Sequence, residues 1–87
     1  MPYQIRVAES VRKDLHRLPA HDRQNVRERV AALREDPRPR GCVKLRGPIN
    51  AYRIRVGPYR VLYDVDDATQ TITILRVKHR REAYRNP

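Results

Sequence analysis

At 87 residues the chain is one domain, residues 1–87, with room for a single small core; burying roughly 60–65% of its unfolded surface leaves it modest stability. Its 20 Lys and Arg against 10 Asp and Glu give a net charge of +10, which narrows the partners to nucleic acid, an anionic membrane or an acidic protein. The lone Cys42 excludes an intrachain disulfide and fits a reducing compartment. The opening Met1-Pro2-Tyr3-Gln4-Ile5-Arg6 lacks the apolar stretch of a signal peptide, and no apolar run approaches the roughly 20 residues of a membrane span; a cytoplasmic location is expected.

In chain order, Tyr3-Gln4-Ile5-Arg6-Val7 alternates and predicts a first strand. Ala8, Val11, Leu15 and Leu18 recur at helical spacing, and Pro19 ends that helix or starts the next. Asp22 is the expected N-cap of a second helix carrying Val26, Val30 and Leu33, which Asp36-Pro37 stops. Val43-Lys44-Leu45-Arg46 predicts a short strand. Ala51 to Val56 and Tyr59 to Val65 predict two longer ones meeting at Gly57-Pro58. Thr71-Ile72-Thr73-Ile74-Leu75-Arg76-Val77, β-branched and mostly apolar, predicts a central strand covered on both faces. The order β-α-α-β-β-β gives a small two-layer α+β domain, a helical hairpin packed on a mostly antiparallel sheet.

The hairpin is the most informative segment. If Gly57-Pro58 is a two-residue turn, Val56 pairs with Tyr59 and Arg55 lies opposite Arg60. One face is then apolar, and the other carries Arg53, Arg55, Arg60 and Leu62. Like charges set opposite one another on a sheet repel, so this face calls for an anion, and guanidinium geometry suits phosphate. The last strand leads into His79, Arg80, Arg81 and Tyr84, which it can bring towards Arg55 and Arg60. The Tyr84 phenol can stack on a base or move a proton, and His79 is the candidate general base. The bland alternatives are a solvated sheet face, an exposed histidine and a tail aromatic packed on the sheet edge. Asp64, Asp66 and Asp67 read as a polar turn, and the spacings of a metal site or of a glycine-rich phosphate loop are absent.

In order, length and segments the chain resembles the RelE toxins of bacterial and archaeal toxin–antitoxin pairs. Lys13-Asp14-Leu15, Leu18-Pro19, Asp36-Pro37, Lys44-Leu45-Arg46-Gly47, Tyr52-Arg53-Ile54-Arg55-Val56-Gly57, Tyr59-Arg60-Val61-Leu62-Tyr63 and His79-Arg80-Arg81-Glu82-Ala83-Tyr84-Arg85 carry the resemblance. It implies the RelE-like microbial RNase fold and a ribosome-dependent mRNA endonuclease. In that reaction the mRNA 2′-hydroxyl attacks the adjacent phosphate in the decoding site, with no metal or cofactor. Carried over residue by residue, the catalytic groups are Arg53, Arg55, Arg60, Arg80 and Tyr84, while Lys44, Arg46 and Arg81 meet RNA or the ribosome. The resemblance also implies an acidic RelB-like antitoxin bound as a hetero-oligomer. One departure stands out: relatives carry lysines where this chain has Arg53 and Arg55. Arginine does not release its proton, so the general base stays open among His79, Tyr84 and the ribosome, with reliance on positioning alone as a further alternative. The alternatives are a ParE-like toxin that inhibits DNA gyrase and a non-catalytic RNA-binding module.

Overall fold

The computed structural model describes residues 2–47 and 50–81. Its elements are β1 (Gln4–Val7), α1 (Glu9–His16), α2 (Ala20–Ala32), β2 (Val43–Lys44), β3 (Ala51–Val56), β4 (Tyr59–Asp66) and β5 (Thr71–His79). All five strands join one sheet in the order β1-β5-β4-β3-β2. β1 runs parallel to β5, and the other neighbours are antiparallel. The two helices cover one face, which gives the expected two-layer α+β domain.

Alternation along the strands builds the core. Tyr52, Ile54 and Val56 of β3, Val61, Tyr63 and Val65 of β4, and Ile72, Ile74 and Val77 of β5 turn inward. They meet Val11, Leu18, Val26 and Leu33 from the helical layer. α1 is shorter than its apolar stripe: it stops at His16, and Leu18 enters the core from the turn beyond. The carbonyls released there are claimed by Arg23, whose Nε donates to Leu15 (3.0 Å) and whose Nη2 donates to Leu18 (2.9 Å). Arg23 is thus a helix cap as well as a surface charge. Asp22 does not cap α2. Pro19 occupies that position, and Asp22 sits in the first turn, where its charge complements the helix dipole. β5 is central in the sheet but not covered on both faces, because outward-facing Thr71 and Thr73 stay half-exposed.

A β-bulge in β5 decides what the end of that strand presents. Tyr63 pairs with Ile74 but Leu62 pairs with Arg76, so Leu75 is the extra residue. Unbroken alternation from Ile72 and Ile74 would send Val77 and His79 outward. The bulge reverses this: Val77 is buried, and Lys78 joins the outward face opposite Arg60. Asp14 of α1 holds the irregularity. Its buried carboxylate accepts from the Val77 N–H (2.9 Å) and from Nε and Nη2 of Arg76 (2.9 and 3.1 Å). Burial alone would push this carboxyl up. The Arg76 and Val77 hydrogen bonds, with the charges of Arg76 and Arg17, outweigh it and hold Asp14 below the usual carboxylate range.

A second set of bonds ties the far end of the sheet. The buried Tyr63 hydroxyl donates to the Pro37 carbonyl (2.7 Å), and burial followed by the nearby Cys42 thiol pushes its pKa up. Arg38 lies over the Tyr52 ring, donates to the Tyr52 hydroxyl (2.9 Å) and pairs with Asp67 (2.8 Å); the Tyr3 hydroxyl also donates to Asp67 (2.7 Å). These bonds fasten the loop after α2 and the start of β1 to the turn between β4 and β5.

Replacing Asp14 by Asn should lower the unfolding free energy by about 1–3 kcal/mol, since it removes a charge-assisted pair and weakens the anchor of the Val77 N–H. The Asp14 carboxyl is depressed in the folded state, so its stabilisation is present above its unfolded value near 4 and is lost as pH falls through the folded value. Urea unfolding of wild type and Asp14→Asn across that acid range should therefore show the two curves converging as the pH drops.

Candidate active site

The hairpin forms in the predicted register. Val56 pairs with Tyr59, Arg55 with Arg60, and Arg53 with Leu62. Gly57 takes φ +58, the left-handed region, and Pro58 follows; glycine with positive φ first and a residue of negative φ second suits a type II′ turn. The Arg80 N–H donates to the Pro58 carbonyl (2.8 Å), latching the end of β5 to the turn.

Three strands place their cations in one outward row. Arg55 of β3 pairs with Arg60 of β4, which pairs with Lys78 of β5, each about 5 Å from the next. Beside this row lies a pocket of about 190 Å3 lined by Arg55, Gly57, Pro58, Tyr59, Arg60 and Arg80. Arg60 is only 3% exposed, unusual for an arginine on the outer face of a sheet. Arg55 and Arg80 are exposed. Of the residues expected from sequence, the structure therefore gathers Arg55, Arg60 and Arg80. Arg53 lies on the same face two residues along β3, about 7 Å from Arg55, half-buried and outside the pocket lining. Lys44 on β2 and Arg46 beyond it are exposed, but Lys44 pairs with the inward Tyr52 and so lies on the face opposite the cationic row; the β2 residue beside Arg53 is Val43. Arg81 is exposed, and Tyr84 lies outside the described residues.

His79 falls elsewhere. It pairs with Tyr59 on the face opposite Arg60 and Lys78, and the two rings meet edge-on with centroids 5.4 Å apart. Its Nδ1 accepts from the Arg81 N–H (3.2 Å). The residue that sequence reading misses is Lys78. Its place depends on the bulge at Leu75, which simple alternation does not reveal. No group of His, Cys, Asp and Glu among the described residues gathers as a metal site.

On the helix-covered side a larger cavity of about 580 Å3 opens between the helices and β1. Val7, Leu15, Val26 and Val30 form part of its lining, and Arg12 and Arg27 also border it. Val7 is 42% exposed, an uncovered apolar group at the edge of the sheet. No described helix is long and apolar enough to cross a membrane.

A family model described as the ParE toxin of the type II toxin–antitoxin system parDE matches residues 5–84. Toxin RelG of Mycobacterium tuberculosis is 38% identical over 98% of this chain and 99% of its own. The toxin–antitoxin complex RelBE2 of the same organism contains a chain of 37% identity and TM-score 0.80, covering 91% of this chain and 99% of that one. The archaeal RelE–RelB complex of Pyrococcus horikoshii gives 34% identity and TM-score 0.83 over 92% and 97%. The chain belongs to the RelE family of toxins, within the RelE/ParE superfamily.

Gly57→Ala should destabilise the domain by about 1–2 kcal/mol. An added Cβ would meet nothing within 4 Å, so the cost is backbone strain at φ +58 alone. Chemical denaturation of the variant measures it.

Proposed function

We propose that this chain is a ribosome-dependent mRNA endonuclease that cuts mRNA in the decoding site and so stops translation. The observation that carries the reading is the cationic row with its pocket: Arg55, Arg60 and Arg80 converge where one phosphate can be held from several sides. In the reaction the 2′-oxygen attacks the adjacent phosphorus, the bond to the 5′-oxygen breaks, and a 2′,3′-cyclic phosphate and a 5′-hydroxyl result. Negative charge grows on the non-bridging oxygens. Preorganised guanidinium groups stabilise it most where their own movement is already restricted, as for buried Arg60. In this reading Arg80, whose backbone bonds to Pro58, steadies the leaving oxygen, and Tyr84 stacks on a base. Arg53, Lys44, Arg46 and Arg81 supply further phosphate attraction, and holding the 2′-hydroxyl in line is itself a large contribution.

The same reading includes an acidic antitoxin. Both similar structures described above are complexes of a RelE-type toxin with its RelB-type partner. Here the apolar cavity beside the helices, bordered by Arg12 and Arg27, suits a segment that buries apolar side chains and presents carboxylates. The name of the matched family model keeps a gyrase-directed toxin as the second reading. That function needs no pocket of convergent cations around a phosphate, which favours the nuclease.

Mapping 5′ ends on a defined mRNA, with and without programmed ribosomes, tests the proposal. Cuts inside the decoding-site codon only with ribosomes support it. Cuts on free RNA indicate a self-sufficient ribonuclease, and no cuts from folded protein together with inhibition of gyrase supercoiling indicate the second reading. Arg60→Ala should slow cleavage by about 10²–10³-fold, the range for losing one transition-state donor, with a circular dichroism spectrum like the wild type's.

A further inference from the structure

We propose that Lys78 accepts the proton of the attacking 2′-hydroxyl, an assignment that rests on the endonuclease reading above. The reaction needs a group that can lose and regain a proton, and the pocket lining offers only guanidinium groups and a tyrosine. A guanidinium does not give up its proton in a protein, so Arg53, Arg55, Arg60 and Arg80 do not serve as the base. His79 is on the opposite face of β5, packed against Tyr59 with Nδ1 occupied by the Arg81 N–H. Lys78 is the remaining cation of the row. It stands directly across from Arg60, half-buried, one residue to the other side of the bulge-corrected alternation that buries Val77. Its amine rides on a flexible four-carbon stem and can swing towards a phosphate held at Arg60.

The groups around it are all fixed by register. Arg60 faces it from β4, with Arg55 beyond on β3. Arg76 and Arg80 flank it two residues away along β5, and the Asp14 carboxylate is engaged by Arg76 and the Val77 N–H. The outward cations of β3 and β4 in the row are guanidinium groups, and Lys78 adds an amine to it on the other side of Arg60.

The step balances as follows. The unprotonated Nζ takes the proton of the 2′-hydroxyl while the 2′-oxygen forms its bond to phosphorus. The bond from phosphorus to the 5′-oxygen breaks, and that oxygen takes a proton from solvent. The Lys78 ammonium later returns its proton to solvent.

Single-turnover cleavage on programmed ribosomes by wild type, Lys78→Arg and Lys78→Gln tests the assignment, with circular dichroism to show folding and co-sedimentation to show ribosome binding. Lys78→Arg keeps the charge and loses only the exchangeable proton. The expected result is a rate about 10²–10⁴-fold lower in both variants, unchanged ribosome binding by Lys78→Arg, and loss of the wild type's rise in rate with pH. A wild-type rate in either folded variant overturns the role of Lys78 while leaving the endonuclease reading intact. No cleavage by the wild type itself overturns the endonuclease reading, and the role of Lys78 with it.

Discussion

One buried carboxylate sets the geometry on which the cationic face depends. Asp14 leaves α1 and binds the backbone and side chain of two successive residues in β5. A charge so far from water is tolerable only when its acceptor sites are filled, and here a guanidinium and a backbone N–H fill them. In return the strand is held with Leu75 as its extra residue, so Val77 completes the core and Lys78 and Arg60 share one face. A carboxylate on the helix side of the sheet thereby determines which side chains appear on the opposite side.

The row itself runs against ordinary sheet design. Neighbouring strands usually avoid placing like charges across from each other, and here an arginine lies between another arginine and a lysine. The surrounding structure compensates. The inner face of the same strands is a continuous apolar layer, and Tyr63, Arg38, Asp67 and Tyr3 bind the far end of the sheet through hydrogen bonds. Repulsion is concentrated at the hairpin end and cohesion at the other.

Much of this was legible from residue order. Alternation through Tyr52–Val56 and Tyr59–Tyr63, with Gly57-Pro58 between them, defines the hairpin register because side-chain period and turn chemistry agree. The stripes of Val11, Leu18, Val26 and Leu33 give the helical layer for the same reason. What escaped depends on long-range contacts. The parallel pairing of β1 with β5 joins segments that no local pattern links. The bulge depends on Asp14, more than sixty residues away from Arg76. Position just after the last strand makes His79 a candidate, and only the bulge shows that Lys78, not His79, shares the face of the arginines. Asp22 looked like a cap because its side chain suits one, but Pro19 already defines the helix start.

The pairing of β1 with β5 also governs how the chain can fold. Residues 4–7 find their partners only at 71–74, and Asp14 finds Arg76 at similar separation. The first strand and first helix of a newly made chain must therefore wait for β5 before either has a sheet to rest on. Structures dominated by such distant pairings assemble slowly, because the loop must close before any contact rewards it. During that interval Val11 lacks the β5 surface on which α1 packs, and the apolar face of that helix stays open to whatever it meets first.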